Sequence, residues 1–120
     1  MAIIYNKAGF EHAKKLIKEG EVEWLDANWN EERPTPDEVN HFINTHYIKE
    51  YGLWFLAIND QYPDTTKEYY DYPYGDLKEV QLCALVDSMA KAEKNGHSEV
   101  ANAAKKLIEM VNKLKNTSPK

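Results

Sequence analysis

The stretch Tyr69-Tyr70-Asp71-Tyr72-Pro73-Tyr74-Gly75-Asp76 constrains the fold of this chain more than any other. Four of the eight tyrosines fall within six residues of it. Its proline and glycine keep it out of helix. It runs straight into Leu77-Lys78-Glu79-Val80, and Asp76, with Glu79 three positions on, reads as a helix N-cap. A stiff aromatic loop fixed to a helix start is therefore expected. Two readings of its rings stand. In one, they pack over helices and satisfy their hydroxyls at the rim. In the other, Tyr69, Tyr70, Tyr72 and Tyr74 form a contact patch that Trp54, Trp24 and Trp29 extend, because Tyr and Trp are enriched at binding hot spots.

The rest of the chain reads as mostly helical. Phe10, Ala13, Leu16 and Ile17 recur at helical spacing, so a helix is predicted over 7–19, with Asn6 as its cap and Gly20 as its stop. Thr35-Pro36-Asp37-Glu38 is a complete helix start: threonine caps, proline sits at N1 and Glu38 closes a capping box. Val39, Phe42, Ile43 and Tyr47 give that helix, 36–51, a buried stripe ended at Gly52. The last third reads as a helical hairpin. One arm covers 77–94, Asn95-Gly96 ends it, and Ser98 caps a second arm over 98–115. Residues 21–34 read as loop, with a hint of strand where Val22 and Trp24 alternate with acids. Leu53–Ile58 is a short apolar run, either a strand or the end of a bent helix; as a strand, its partner is Ile3-Ile4-Tyr5.

Length and charge bound the classes. At 120 residues the chain makes one domain, placed at 1–115, with a polar flexible tail at 116–120. The net charge is -5, and of fifteen basic residues only Arg33 is arginine. Bidentate phosphate and base contacts favour arginine, so no nucleic-acid partner is expected. The longest apolar run is too short for a bilayer, and Met1-Ala2-Ile3-Ile4 lacks the parts of a signal peptide, so no membrane partner and a cytoplasmic location are expected. Cys83 is the one cysteine, which excludes an internal disulfide and suits a core position.

The polar groups carry little spaced chemistry. His41 and His46, five apart on a helix, diverge by about 140° and cannot form the i, i+4 metal pair. His12 and His97 have no Cys or His nearby in sequence. No metal and no cofactor are expected. Asp71 and Asp76 flank the aromatic loop. Asp76 has a capping role to fill, and Asp71 has no evident one.

Gly9-Phe10, Ala13-Lys14, Leu16-Ile17, Glu50 to Ile58 and Tyr72-Pro73-Tyr74-Gly75-Asp76-Leu77 together resemble a group of small uncharacterised bacterial proteins. These carry a GF-x-x-A-K-x-L-I start and a (Y/F)-P-Y-G-D centre. The resemblance covers most of the chain. It implies a compact bacterial single-domain protein and no particular activity. Such proteins often carry a basic residue just before the proline motif, where this chain has Asp71.

These readings combine into a mainly α-helical domain. Four helices pack around Phe10, Leu16, Phe42, Trp54, Val80, Leu85, Leu107 and Val111, and an irregular segment 53–76 crosses them, with at most a minor two-strand ribbon. The expected function is a non-enzymatic protein-binding or adaptor module that holds a protein partner or a second copy through Tyr69, Tyr70, Tyr72, Tyr74 and Trp54. The alternative is a small metal-assisted hydrolase built from His46, Asp71 and Asp76.

Overall fold

The computed structural model describes residues 3–25 and 27–117, with the side chain of Thr117 left aside. Of the tail expected at 116–120, Asn116 and Thr117 are helical, and 118–120 lie outside the described residues. The elements run β1 (Ile3–Tyr5), α1 (Lys7–Lys18), β2 (Val22–Glu23), α2 (Trp29–Glu32), α3 (Pro36–His46), α4 (Ile48–Gly52), β3 (Phe55–Asn59), a 3-10 turn (Lys67–Tyr69), β4 (Tyr70–Pro73), β5 (Val80–Gln81), α5 (Leu82–Lys94) and α6 (Ser98–Thr117). The fold is mixed α/β rather than a four-helix domain with a ribbon.

Segment 53–76, expected to be irregular, supplies two strands of a three-stranded sheet. β3 is its centre, paired antiparallel to β1 on one side and to β4 on the other. The expected pairing of 53–58 with Ile3–Tyr5 is present, with Ile4 opposite Ile58. The correction is the third strand: Tyr70–Pro73 is not a loop but the other edge, with Ala57 opposite Asp71 and Phe55 opposite Pro73. Phe55, Leu56 and Ala57 are all buried, so this strand is covered on both faces. That explains why the run carries no polar alternation. A separate parallel pair joins β2 to β5, with Val22 opposite Val80 and both fully inside.

α1 forms as expected, and Ala13 and Ile17 face the core one turn apart. Its stop is a Schellman motif, in which Glu21 N–H donates to Leu16 O and Gly20 N–H to Ile17 O. Its start differs from expectation. Asn6 makes no side-chain cap. Its Nδ2 instead donates to Gly52 O at 3.1 Å and Phe55 O at 3.0 Å, tying the helix start to the end of α4 and to β3.

The helix expected over 36–51 is two helices. The capping box forms, with Glu38 N–H donating to Thr35 Oγ1 at 3.2 Å and Thr35 N–H to Glu38 Oε1 at 2.9 Å. The chain then breaks at Tyr47, whose φ is 73° and ψ 154°. Tyr47 was expected in a buried stripe, yet it is 78% exposed, and no residue of α3 is fully buried. α3 is an outer layer that leans on the core through Val39, Phe42 and Ile43.

The arm expected from Leu77 starts five residues late, at Leu82. Leu77 has φ 71°, outside helix. Asp76 caps the turn instead of a helix. Its Oδ1 accepts from Lys78 N–H at 3.1 Å and Glu79 N–H at 2.9 Å, and its Oδ2 accepts from Gln81 Nε2 at 3.0 Å. α5 and α6 then pack as the expected antiparallel hairpin. Leu85, Ala104, Leu107 and Val111 are at zero exposure, and Phe10, Leu16 and Phe42 are only partly buried.

The tie at Asn6 makes a sharp test. Aspartate caps a helix as well as asparagine does, but it has no Nδ2 to donate. Asn6→Asp is expected to lose about 2–4 kcal/mol, read from urea unfolding midpoints. A loss under about 0.5 kcal/mol would return Asn6 to the capping role.

Candidate functional site

The tyrosine cluster divides on folding. Tyr72, Tyr74 and Trp54 lie in the core, while Tyr69 and Tyr70 are half-buried. The expected contact surface of Tyr69, Tyr70, Tyr72, Tyr74 and Trp54 is therefore not presented, because three of its five rings face inward. Each inward group has an internal partner. Tyr74 donates its hydroxyl to Leu53 O at 2.6 Å and stacks on Trp54 with centroids 5.6 Å apart. The Tyr72 hydroxyl lies 2.8 Å from His97 Nδ1 and accepts from Asn95 Nδ2 at 3.2 Å. Ser88 Oγ donates to the Pro73 carbonyl at 2.6 Å. A Cβ at Gly75 would stand 2.7 Å from the Trp54 ring, so only glycine lets the strand pass there. Gly52, expected as a helix stop, likewise makes room for the Tyr70 ring.

The expected polar site is gathered in part. His46 and Asp76 line one groove of about 480 Å3, between α3 and the 76–79 turn. Phe42 and Leu77 are its apolar residues, and Asp37, Glu38, His41 and Lys78 complete it. His46 stacks on Phe42 with centroids 4.3 Å apart, and its Nδ1 lies 2.8 Å from Thr45 Oγ1. The Glu38 carboxyl is held below the usual carboxylate range by the hydrogen bond from the Thr35 backbone, so it stays charged. Asp71 does not line this groove. Its Oδ1 accepts from Tyr72 N–H at 2.8 Å, and it lines a different cavity.

That second cavity was not foreseen. It measures about 200 Å3 and is walled by Trp29, Val39, Phe55 and Leu77, with Arg33, Tyr51 and Asp71 as its polar members. It adjoins an outer groove of about 540 Å3 that shares Arg33, Pro34, Val39 and Tyr51 and adds Lys67. Burial pushes the Tyr51 phenol up to about 12. The available signal was Arg33, a single arginine in a chain of lysines. Tyr51 carried none, since it read as one more residue of an unbroken helix.

Cys83 is half-buried and lines a surface groove beside Trp24 and Val86. Burial pushes its thiol up, which disfavours the nucleophilic thiolate. Among the described residues, no three His, Cys, Asp or Glu side chains are placed to hold a metal, and no helix is long and apolar enough to cross a membrane. Compared with known proteins, the chain matches no family, no curated protein and no solved structure.

Two outcomes test this assignment of the rings. Tyr74→Phe and Tyr72→Phe each remove one hydroxyl from inside and are expected to cost about 1–2 kcal/mol, whereas Tyr69→Phe stays within about 0.5 kcal/mol. Chemical denaturation of the three variants checks this, and equal costs at all three positions would contradict it. The second outcome concerns alkaline pH. Tyr51 ionises near 10 when unfolded but near 12 when folded. The folded state therefore holds its proton longer, and stability is full below pH 10 and falls as pH rises from about 10 to 12. Burial raises Tyr74, Tyr70 and Tyr5 as well, so unfolding midpoints should drop across that window and drop less in Tyr51→Phe; an identical drop in that variant would contradict the burial of Tyr51.

Proposed function

We propose that this protein is a non-enzymatic protein-binding module of the bacterial cytoplasm, and that its contact surface is the groove between α3 and the 76–79 turn. The tyrosine cluster is not that surface. What supports the reading is the end of α3. Tyr47 occupies a backbone region that is essentially reserved for glycine, with φ 73° and ψ 154°, and leaves its ring 78% exposed. Glycine would make this turn without strain. A tyrosine kept there at a cost of about 1–3 kcal/mol serves something outside the chain.

The neighbouring groove fits a protein segment of defined chemistry. Phe42 and Leu77 offer apolar contact, and Asp37, Glu38 and Asp76 outnumber Lys78 around them. The complementary partner carries an apolar side chain flanked by lysine or arginine. Single rim charges contribute little to affinity, so the apolar anchor carries the energy and the acids set orientation. The motif through which the chain resembles small bacterial proteins then works as a structural element, since Tyr72 to Asp76 are all engaged internally. The hydrolase alternative loses ground because Asp71 lines a different cavity from His46 and Asp76.

Two measurements test the proposal. Tyr47→Gly is expected to gain about 1 kcal/mol of stability; a loss of that size would show that the ring packs within the chain. A short peptide with a central leucine or phenylalanine between lysines, titrated into labelled protein, is expected to shift the amides of Phe42, His46 and Leu77. Its glutamate-flanked counterpart is expected to bind at least about tenfold more weakly. Equal binding of the two, or shifts mapping elsewhere, would reject the groove.

A further inference from the structure

The surface groove beside Cys83 measures about 550 Å3 and shares no lining residue with the α3 groove. Leu82, Val86 and Ala90 line it from α5, and Leu25 lines it from the chain before α2. We infer that it is the contact of a two-fold homodimer, in which Leu25 and this face of α5 pack against the same surface of a second copy.

Three observations carry this. The first is a helix with two apolar sides. α5 turns Ala84, Leu85, Ser88 and Ala92 into the core. Leu82, Val86 and Ala90, spaced by four, form a second ridge away from it, with Cys83 alongside. A helix apolar over so wide an arc is one that is covered on more than one side. Within the chain this second ridge stays open, and Val86 is 47% exposed. The second observation is convergence. Among the described residues, five large apolar side chains are exposed, and two of them, Val86 and the 66% exposed Leu25, line this groove. Exposed apolar residues that gather in one patch mark an interaction surface, whereas scattered ones need no explanation. The third is charge, which names the occupant. One acid, Asp87, and one base, Lys115, line the groove. A two-fold axis sets each copy's Asp87 toward the other copy's Lys115, so the surface is complementary to itself. Asp87 also lies 3.5 Å from Lys91, but a carboxylate accepts more than one donor. The α3 groove, with Asp37, Glu38 and Asp76 against Lys78, would instead repel its own copy. Ridges spaced by four are those that interdigitate in the commonest helix crossing, and a two-fold brings identical ridges together.

The test is the mass of the whole protein by sedimentation equilibrium over a range of concentrations. A dimer is expected with no larger species, because a two-fold contact closes on itself. Leu25→Glu and Val86→Glu are each expected to weaken it at least about tenfold. Their urea midpoints, compared with wild type at concentrations where both are monomeric, are expected to stay unchanged, because both side chains are exposed within the chain. Asp87→Lys and Lys115→Glu are each expected to weaken the dimer several-fold, and the two together to restore it, since the exchange keeps the facing signs opposite. Tyr47→Ala, beside the α3 groove, is expected to leave the dimer as it is. A monomeric mass at about 1 mM overturns the proposal. So does a mass that keeps rising with concentration past the dimer, a dimer that both glutamate variants leave intact, or a double charge exchange no tighter than the single changes. Binding of the lysine-flanked peptide at the α3 groove is read separately, so either surface can fail without the other.

Discussion

The packing of Tyr72 to Gly75 between the sheet and the helical hairpin is the constraint on which the rest of this structure depends. Each residue of the segment joins two elements. Tyr72 reaches the α5–α6 turn through His97 and Asn95, and Pro73 accepts from Ser88 on α5. Tyr74 reaches back to Leu53 and stacks on Trp54, and Gly75 lets Trp54 lie against the chain. Tyr72 adopts φ 63° to do this, a left-handed conformation that costs about 1–2 kcal/mol. Burial of its ring, at 4% exposure, offsets that by a comparable or larger amount. With the segment fixed, β4 closes the sheet, and Tyr70, Asp71 and Pro73 become one wall of the cavity beside Tyr51.

The α3 groove lies where the backbone is strained. Tyr47 follows His46 at the end of α3, and Leu77, with φ 71°, lines both the α3 groove and the cavity beside Tyr51. Among the described residues, three non-glycine residues have positive φ: Tyr47 and Leu77 beside the α3 groove, and Tyr72 in the internal bolt. Strain of this kind persists only where surrounding contacts over-determine it. Here the Asp76 carboxylate, holding three donors, fixes the turn that carries Leu77. The groove and the cavity share this support, and a change at Asp76 therefore reaches both.

How far the sequence could be read depended on whether the signal was local. The capping box at Thr35, the Schellman stop at Gly20 and the α5–α6 hairpin rest on residues within a turn of one another, and all three are present. The pairing of Ile3–Tyr5 with the apolar run was visible because one short strand had one available partner. The break at Tyr47 was not, since neither glycine nor proline marks it. Asp76 misled because an aspartate gives the same sequence sign at a turn as at a helix start; only Gln81, brought back across the turn, distinguishes them. β4 was hidden by its proline, which is tolerated because β4 is a sheet edge. The cavity beside Tyr51 draws on α2, α3, α4, β3 and β4, elements no spacing rule connects. Arg33 alone stood out, through its rarity.

The Tyr72–Gly75 segment is expected to open only when the whole domain does. Native-state amide hydrogen exchange tests it most directly. Tyr74 N–H donates to Trp54 O, and Gln81 N–H donates to Tyr74 O. Both amides should exchange with a free energy equal to that of global unfolding by urea, within about 1 kcal/mol. Exchange several kcal/mol easier than global unfolding, at the level of the exposed 60–66 turn, would show a segment that detaches on its own and would contradict the account.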